Sequence, residues 1–193
     1  VEYVHPLHNL ALVSFDPRLL DGTPLRAAKL DTRELTPGEA VTVVGLGGDS
    51  RVRSIATTVA SIDELNLPLS RTLRFREANL EVATLVNAPG EFDGVIAGRD
   101  GRVRALWSSF ATETGRDQVQ INRGVPVDLV VEMLEAAPTG APLYSLEVEF
   151  EAVPISAARK LGLSDAWVSR LEAIDGTQRQ ALSVARVVAG SPA

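Results

Sequence analysis

The segment NAPGEFDGVIAGRDGRVRAL, residues 87–106, joins a loop rich in Pro and Gly to two short apolar runs. The runs Gly94–Ala97 and Val103–Trp107 flank the pair Asp100-Gly101. Asp-Gly between apolar runs is a strong short-range signal for a β-hairpin, because its tight turn requires residues that tolerate positive φ. The segment therefore predicts two antiparallel strands joined by a tight turn.

Similar apolar runs occur on the N-terminal side of this hairpin, separated by Gly, Pro, Asp and Asn. They are rich in Val, Ile, Leu and Thr, which is typical of strands in a mostly β domain. The loop Gly45–Gly48 lacks the Lys-Ser/Thr of a phosphate-binding loop and no helix follows it, so we interpret it as a turn between strands. The predicted strands are Leu10–Phe15, Ala40–Gly45, Arg51–Ile62 and Leu80–Val86.

The pattern changes at Pro126. In VPVDLVVEMLEAAPTG, residues 125–140, apolar residues recur at helical spacing, and Pro138 and Gly140 are expected to stop the helix. A strand, a short helix opening at Pro154, a second helical turn capped by Ser164, and a last strand that leads into a turn within residues 181–193 are predicted to follow. We place a domain boundary near Pro138–Pro142.

Composition excludes several classes of function. The chain has 193 residues, 45% of them hydrophobic and 23% charged, with a net charge of −6. It contains no Lys/Arg cluster for a nucleic-acid surface, and no run of about 18 apolar residues for a membrane span. With no cysteine, disulfides, thiolate metal sites and cysteine nucleophiles are excluded together.

Both histidines, His5 and His8, lie in the stretch HPLHNLALVSFD, residues 5–16. A zinc site needs further ligands and acceptors for the imidazole rings, and the chain offers only carboxylates for that purpose. We therefore interpret the pair as turn histidines that pack and hydrogen-bond locally. No metal and no cofactor are expected.

Three segments, in their order and spacing, resemble the HtrA/Deg family of trypsin-like serine proteases with PDZ domains. His5–Leu12 is similar to the family pattern that carries the acidic member of the catalytic triad, with Asn9 at the position of that Asp. Residues 87–106 resemble the nucleophile loop and its hairpin. In the register fixed by Pro89-Gly90, Phe92 replaces the nucleophilic Ser, and Gly90, Glu91 and Asp93 stand in the oxyanion loop.

The third segment, INRGVPVDLVVEML at residues 121–134, is similar to the family's helix between protease barrel and PDZ domain. PLYSLEVEF, residues 142–150, stands where the peptide-binding strand of the PDZ domain begins. The motif His-Pro-Leu-His-Asn and the triplet Ala105–Trp107 resemble the degenerate second protease-like unit in long, duplicated members from fungi and plants.

The resemblance implies a mainly β fold: a trypsin-like (chymotrypsin-fold) β-barrel, incomplete at the N-terminus, followed by a partial α+β PDZ domain. Residues 1–16 would hold the last strand region of a first barrel, residues 17–137 the second barrel with its C-terminal helix, and residues 138–193 a truncated PDZ-like domain. The chain is thus expected to be a piece of a longer protein. A bacterial member would be extracytoplasmic or periplasmic.

The chemistry of a serine protease requires a hydroxyl, an imidazole and a carboxylate in hydrogen-bonding order. Phe92 has no lone pair, and Asn9 cannot stabilise an imidazolium as a charge does. The triad histidine is expected before residue 1. Asp93 would place a negative charge beside a developing oxyanion. No Ser or Thr occurs from Val86 to Leu106, and we interpret Ser108-Ser109 as a solvated strand end rather than a displaced nucleophile.

These residues predict a non-catalytic protease-like and PDZ module that binds protein or peptide segments, self-associates or regulates an active protease unit. An active HtrA-type serine endopeptidase is the alternative, and a chaperone-like surface is a third. No nucleic acid is expected as a partner. Glu147 and Glu149 would repel a C-terminal carboxylate, so peptide binding there competes with an ordinary edge strand. The candidate peptide-binding residues are Tyr144, Ser145, Leu146, Glu147 and Val148.

Overall fold

The structure is a computed structural model that describes residues 1–65, 79–114, 117–140, 142, 144–174, 176 and 179–191. Its internal contacts divide the chain into two units, Val1–Pro142 and Leu143–Ala193. Each unit is described by itself. No helix in the described parts of the chain has the length and apolar character needed to cross a membrane.

The first unit begins with a small hairpin of strands β1 (Tyr3–Val4) and β2 (Ala11–Leu12), followed by a 3₁₀ turn at Pro17–Leu20. Six longer strands follow, and a helix, α1, of 12 residues closes the unit. These elements are β3 (Ala40–Leu46), β4 (Val52–Glu64), β5 (Glu81–Leu85), β6 (Gly94–Ala97), β7 (Val103–Thr114), β8 (Asp117–Pro126) and α1 (Asp128–Thr139).

The six long strands form a closed antiparallel barrel in the order β3-β4-β5-β8-β7-β6. Closure leaves no free sheet edge among these strands, and side chains that point inward fill the interior. The prediction of a mainly β, trypsin-like barrel is confirmed. One buried cluster forms its main core: Val41, Val43, Val59, Ala83, Leu85, Phe92, Ile96, Ala105 and Trp107.

The hairpin predicted from residues 94–107 is present. Strand β6 has the predicted bounds, and Gly94 pairs with Trp107 at the open end of the hairpin. At the turn, Gly101 has φ 74° and its N–H donates to the carbonyl of Gly98 at 2.9 Å. A residue with a side chain would be strained at this φ, which is why the turn favours glycine.

Four elements of the first unit differ from the predictions. Strand β7 continues to Thr114 and pairs with β8, a strand that the sequence did not predict. The predicted strand Leu10–Phe15 is reduced to two residues, and Val13 and Phe15 are exposed. Helix α1 includes Pro138 in its last turn, and ends where Gly140, with φ 60°, donates to Ala136.

The second unit contains two strands and two helices. Strands β9 (Val148–Pro154) and β10 (Gln180–Val187) pair antiparallel, with an irregularity between Val184 and Arg186. Helices α2 (Ile155–Lys160) and α3 (Asp165–Ile174) lie between them in the chain. This α+β arrangement is consistent with the predicted PDZ-like region. Leu143 and residues 192–193 lie outside the described part of the chain.

Candidate functional site

The loop at the predicted nucleophile position connects β5 to β6. Its backbone turns at Asn87, which has φ 51°. The carbonyl oxygen of Pro89 accepts a hydrogen bond of 3.0 Å from the indole Nε1 of Trp107, a fully buried side chain in β7. Because a buried indole N–H needs an acceptor, this bond fixes the loop on the barrel interior.

Phe92 points into the barrel. Its side chain is 7% exposed and belongs to the main core cluster. A Cβ atom placed on Gly45 of β3 would lie 2.6 Å from Cδ2 of Phe92 and 2.2 Å from the carbonyl oxygen of Asp93. A Cβ on Gly94 would lie 2.1 Å from the carbonyl oxygen of Val44. The two glycines thus allow the loop to lie directly on β3.

Asp93 points in the opposite direction, as expected for neighbours in an extended chain. Its carboxylate accepts hydrogen bonds from Oγ of Ser109 at 3.2 Å and from Nδ2 of Asn122 at 3.3 Å, on the outer surface of β7 and β8. Strand β7 continues past both serines to Thr114, so Ser108 and Ser109 lie within a strand rather than at its end, which corrects our interpretation. Gly90 and Glu91 are exposed in the same loop.

The candidate triad position Asn9 lies in the turn of the β1–β2 hairpin and is exposed. Its neighbour Leu10 packs against a second core cluster, formed by Leu65, Leu80, Val82 and Val125. Phe92 belongs to the first cluster, so Asn9 and Phe92 are anchored on different parts of the unit.

His5 and His8 stack in the same turn, with ring centroids 4.7 Å apart. His5 is 2% exposed, and its Nδ1 accepts hydrogen bonds from the backbone N–H of His8 at 2.9 Å and of Leu7 at 3.2 Å. Burial lowers the pKa of His5 below its usual value, although the charge of Glu132 acts in the opposite direction. Burial, and then the neighbouring His5, lowers the pKa of His8.

The histidine pair is arranged as an internal turn rather than as a metal centre. The Nδ1 lone pair of His5 is already used by two backbone donors, so it is not available to a metal ion. Across the described ranges, from 1–65 to 179–191, no group of three or more His, Asp or Glu side chains is placed to hold a metal ion.

The candidate peptide-binding residues form a loop that leads into β9. Tyr144 and Leu146 are 87% and 71% exposed. The backbone N–H of Glu147 donates to Oγ of Ser145 at 3.0 Å, and its carbonyl accepts from the N–H of Val188 at 2.9 Å. Glu147 has φ 53°, and Val148 begins the strand. The structure thus brings residues 145–148 together with the end of β10.

A buried arginine was not predicted. Arg104 in β7 is 5% exposed, and its Nη1 donates to Oε1 of Glu39 at 2.9 Å. Its Nη2 donates to the backbone carbonyls of Arg33 and Glu34 at 2.7 and 2.8 Å. These partners are 65 to 71 residues away in sequence. The guanidinium therefore fastens residues 33–39 to the barrel, and no local sequence signal indicates it.

The barrel order, the loop between β5 and β6 and the α+β unit define a class: a trypsin-like serine protease barrel followed by a PDZ-like region. No protein-family model matches the chain. The chain is 34% identical over its whole length to Protease Do-like 7 of Arabidopsis thaliana. It is 32% identical, also over its whole length, to a PDZ domain-containing protein of Schizosaccharomyces pombe.

A third relative is Pro-apoptotic serine protease NMA111 of Chaetomium globosum, 30% identical over 96% of the chain. The chain spans about a fifth of the length of each of these relatives. It is therefore a homologue, over its whole length, of HtrA-family proteases that contain PDZ domains. The resemblance stated from the sequence is confirmed.

Proposed function

We propose that this chain is a non-catalytic protease-like and PDZ module that binds protein or peptide segments. The burial of Phe92 in the barrel core carries the proposal. A phenyl ring has no lone pair with which to attack an amide carbonyl, and no hydroxyl stands near it in the loop sequence from Val86 to Leu106.

The surroundings of the loop also support a non-catalytic role. The bond from Trp107 to Pro89 and the contact of the loop with Gly45 oppose a rearrangement that would turn another side chain into the site. Asp93 adds a carboxylate to the loop, and negative charge opposes the formation of an oxyanion nearby. Both histidines are held in the β1–β2 hairpin, where Nδ1 of His5 is already an acceptor.

The binding role rests on the second unit and on the homologues that contain PDZ domains. Tyr144 and Leu146 offer exposed apolar surface in the loop that precedes β9. The N–H of Glu147 is engaged by Ser145, so it is not free to hold a terminal carboxylate. We therefore propose that internal peptide segments, rather than chain ends, contact residues 144–148. Self-association and regulation of an active protease unit are further parts of the proposal.

A fluorophosphonate probe, which reacts with activated serine hydroxyls, tests the absence of catalysis. We expect no labelling of the chain under conditions in which an active trypsin-like protease is fully labelled. The Ser108→Ala and Ser109→Ala variants are matched controls. Labelling of the wild-type chain would overturn the proposal, and its loss in one variant would identify the nucleophile.

Peptide binding is tested by fluorescence anisotropy with a labelled library of internal, uncharged peptides. Tyr144→Ala and Leu146→Ala are expected to weaken binding about tenfold each, because each removes large exposed apolar area. Leu161→Ala is a matched control, since Leu161 is 75% exposed in the same unit and lies outside the loop. Equal losses in all three variants would contradict the assignment of the loop. Light scattering of the same samples tests self-association.

An active serine endopeptidase of the HtrA type is the second candidate function. The names of the relatives from Arabidopsis thaliana and Chaetomium globosum favour it. Cleavage of an unfolded substrate such as casein by the chain, blocked by the same fluorophosphonate, would support this candidate against the first.

A further inference from the structure

The turn of the N-terminal hairpin is built around the ring of His5. The backbone N–H of His5 donates to the carbonyl of Leu10 at 2.9 Å, and the N–H of Leu10 donates to the carbonyl of His8 at 2.8 Å. Between these two backbone hydrogen bonds, the N–H groups of Leu7 and His8 both donate hydrogen bonds to Nδ1 of His5. Two of the backbone N–H groups in the turn thus depend on one imidazole lone pair.

This arrangement requires a neutral His5. Nδ1 accepts a hydrogen bond only while it carries no proton, and in the imidazolium both ring nitrogens are donors. A proton on Nδ1 would face two backbone N–H groups, and it would lie on a residue that is only 2% exposed to solvent. Protonation therefore removes two hydrogen bonds and leaves a poorly hydrated charge in their place.

Titratable groups from the turn, from β1 and from α1 surround His5. From the turn, His8 stacks on His5, and its buried Nδ1 has no hydrogen-bond partner in the described part of the chain. From β1, the ring of Tyr3 meets His5 edge-on at 6.5 Å. From α1, the carboxylate of Glu132 favours a charged His5, but burial outweighs it and lowers the pKa.

The hairpin covers apolar surface of the first unit. Leu10, directly after the turn, packs with Leu129 of α1 against the second core cluster. Farther along, Leu12 and Val13 form one side of a groove of about 400 Å³ whose other side is the C-terminal half of α1. Movement of the hairpin away from the barrel would open the groove and uncover the surface under Leu10.

We propose that the stacked His5 and His8 form a pH-sensitive latch, which holds the β1–β2 hairpin against the barrel and α1 at neutral pH and holds it less tightly in mild acid. The closed hairpin favours neutral imidazoles, whereas the open hairpin titrates near 6.5. The closed form is therefore fully stable above that pH and loses stability as the pH falls below it. One histidine can change the ratio of closed to open hairpin by up to about tenfold at pH 5.5.

Amide hydrogen exchange of the whole chain at pH 7.5 and 5.5, corrected for the intrinsic exchange rate, tests the latch. We expect the protection of the Leu7 and His8 amides to fall about tenfold at the lower pH, while barrel amides such as that of Val43 keep theirs. His5→Asn preserves an acceptor near Nδ1 without a titrating ring, and should abolish the change. Equal pH dependence in the wild type and His5→Asn would overturn the proposal.

A second measurement uses the wild-type chain, so it does not depend on whether the His5→Asn variant folds. In NMR titrations of the two imidazole rings, both histidines should titrate below 6.5, and the amide signals of the turn should shift with them. His8→Phe, which keeps an aromatic ring on His5, should reduce but not abolish the loss of protection. A His5 ring that titrates at or above 6.5 without any change in the turn would also overturn the latch.

Discussion

The indole Nε1 of Trp107 donates a hydrogen bond of 3.0 Å to the carbonyl oxygen of Pro89 in the interior of the barrel. Trp107 lies in β7 and Pro89 in the loop that holds Phe92, so the bond joins the barrel wall to the candidate site. The loop has an aromatic core residue on one side and a buried hydrogen bond on the other. Contacts with the barrel core therefore determine the conformation of this loop.

Trp107→Phe is expected to lower the free energy of unfolding by about 1–3 kcal/mol, because it leaves the buried carbonyl of Pro89 without its donor and leaves a small void. Urea unfolding followed by far-UV circular dichroism measures the change. Trp167→Phe is the matched control, since Trp167 is 55% exposed on α3. Its effect should stay within about 0.5 kcal/mol. Equal effects would contradict a structural role for the Trp107–Pro89 bond.

Gly94→Ala is expected to destabilise the barrel by about 3 kcal/mol or more, because the new methyl group would lie 2.1 Å from a backbone oxygen of β3. Backbone must move to relieve that contact, and the β3–β6 register moves with it. Gly48→Ala is the control, since a Cβ there meets nothing within 4 Å. Thermal unfolding of both variants gives the comparison. If Gly94→Ala is as stable as Gly48→Ala, the close approach of β3 and β6 at Gly94 is contradicted.

The sequence predicted the β6–β7 hairpin well, because Asp100-Gly101 is a local turn signal and short apolar runs flank it on both sides. Strand β8 was missed because residues 117–124 are mostly polar, so no apolar run marks the strand in the sequence. Backbone pairing with β7, from Ala105–Pro126 to Thr114–Asp117, defines that strand instead of a hydrophobic pattern. Local pattern could not indicate how far either strand runs.

The sequence predicted which residues occupy the candidate site, but it did not predict their side-chain directions or contacts. The resemblance placed Phe92 and Asn9, but the direction of Phe92 into the core depends on contacts with Gly45, about 47 residues away in the chain. The partners of Arg104 are more distant still, and an arginine in a strand is ordinarily expected at the surface. Such tertiary contacts have no local sequence signature.

Arg104→Met is expected to lower stability by about 3–5 kcal/mol, because it leaves Glu39 and two backbone carbonyls without their buried donor. Arg104→Lys keeps the charge but has too few fixed donors for all of these acceptors, so an intermediate loss is expected. Arg102→Met is the control, since the Arg102 side chain is 51% exposed. Urea unfolding measures the free energy of unfolding of the three variants. Equal losses for Arg102 and Arg104 would contradict the burial of the cation.

Asp31 should contribute to stability against acid. The hydrogen bonds from Arg33 lower the pKa of Asp31 to about 2 from its usual 3.8. Because the folded pKa is depressed, this contribution is complete above pH 3.8 and is lost as the pH falls towards 2. In urea unfolding between pH 5 and pH 2, Asp31→Asn should show a shallower loss of stability than the wild type. Arg33→Gln should reproduce that change, and a wild-type slope in both variants would contradict the assignment.

Phe92→Ser places a hydroxyl at the candidate nucleophile position, and we expect it to lack activity. The substitution removes a ring from the main core, which should cost about 3–5 kcal/mol, and the hydroxyl would lie in an apolar interior with no imidazole to take its proton. Fluorophosphonate labelling of Phe92→Ser should equal that of the wild type.

Phe92→Leu is the matched variant, because it keeps most of the apolar volume and should cost less than half as much. If Phe92→Ser reacts with the probe while Phe92→Leu does not, a proton acceptor must reach the loop. The hydroxyl would then be the only missing catalytic group, and our proposal that several groups are missing would be wrong. If neither reacts and Phe92→Ser is the less stable of the two, the Phe92 ring acts as a core residue at the position where the resemblance predicts a nucleophile.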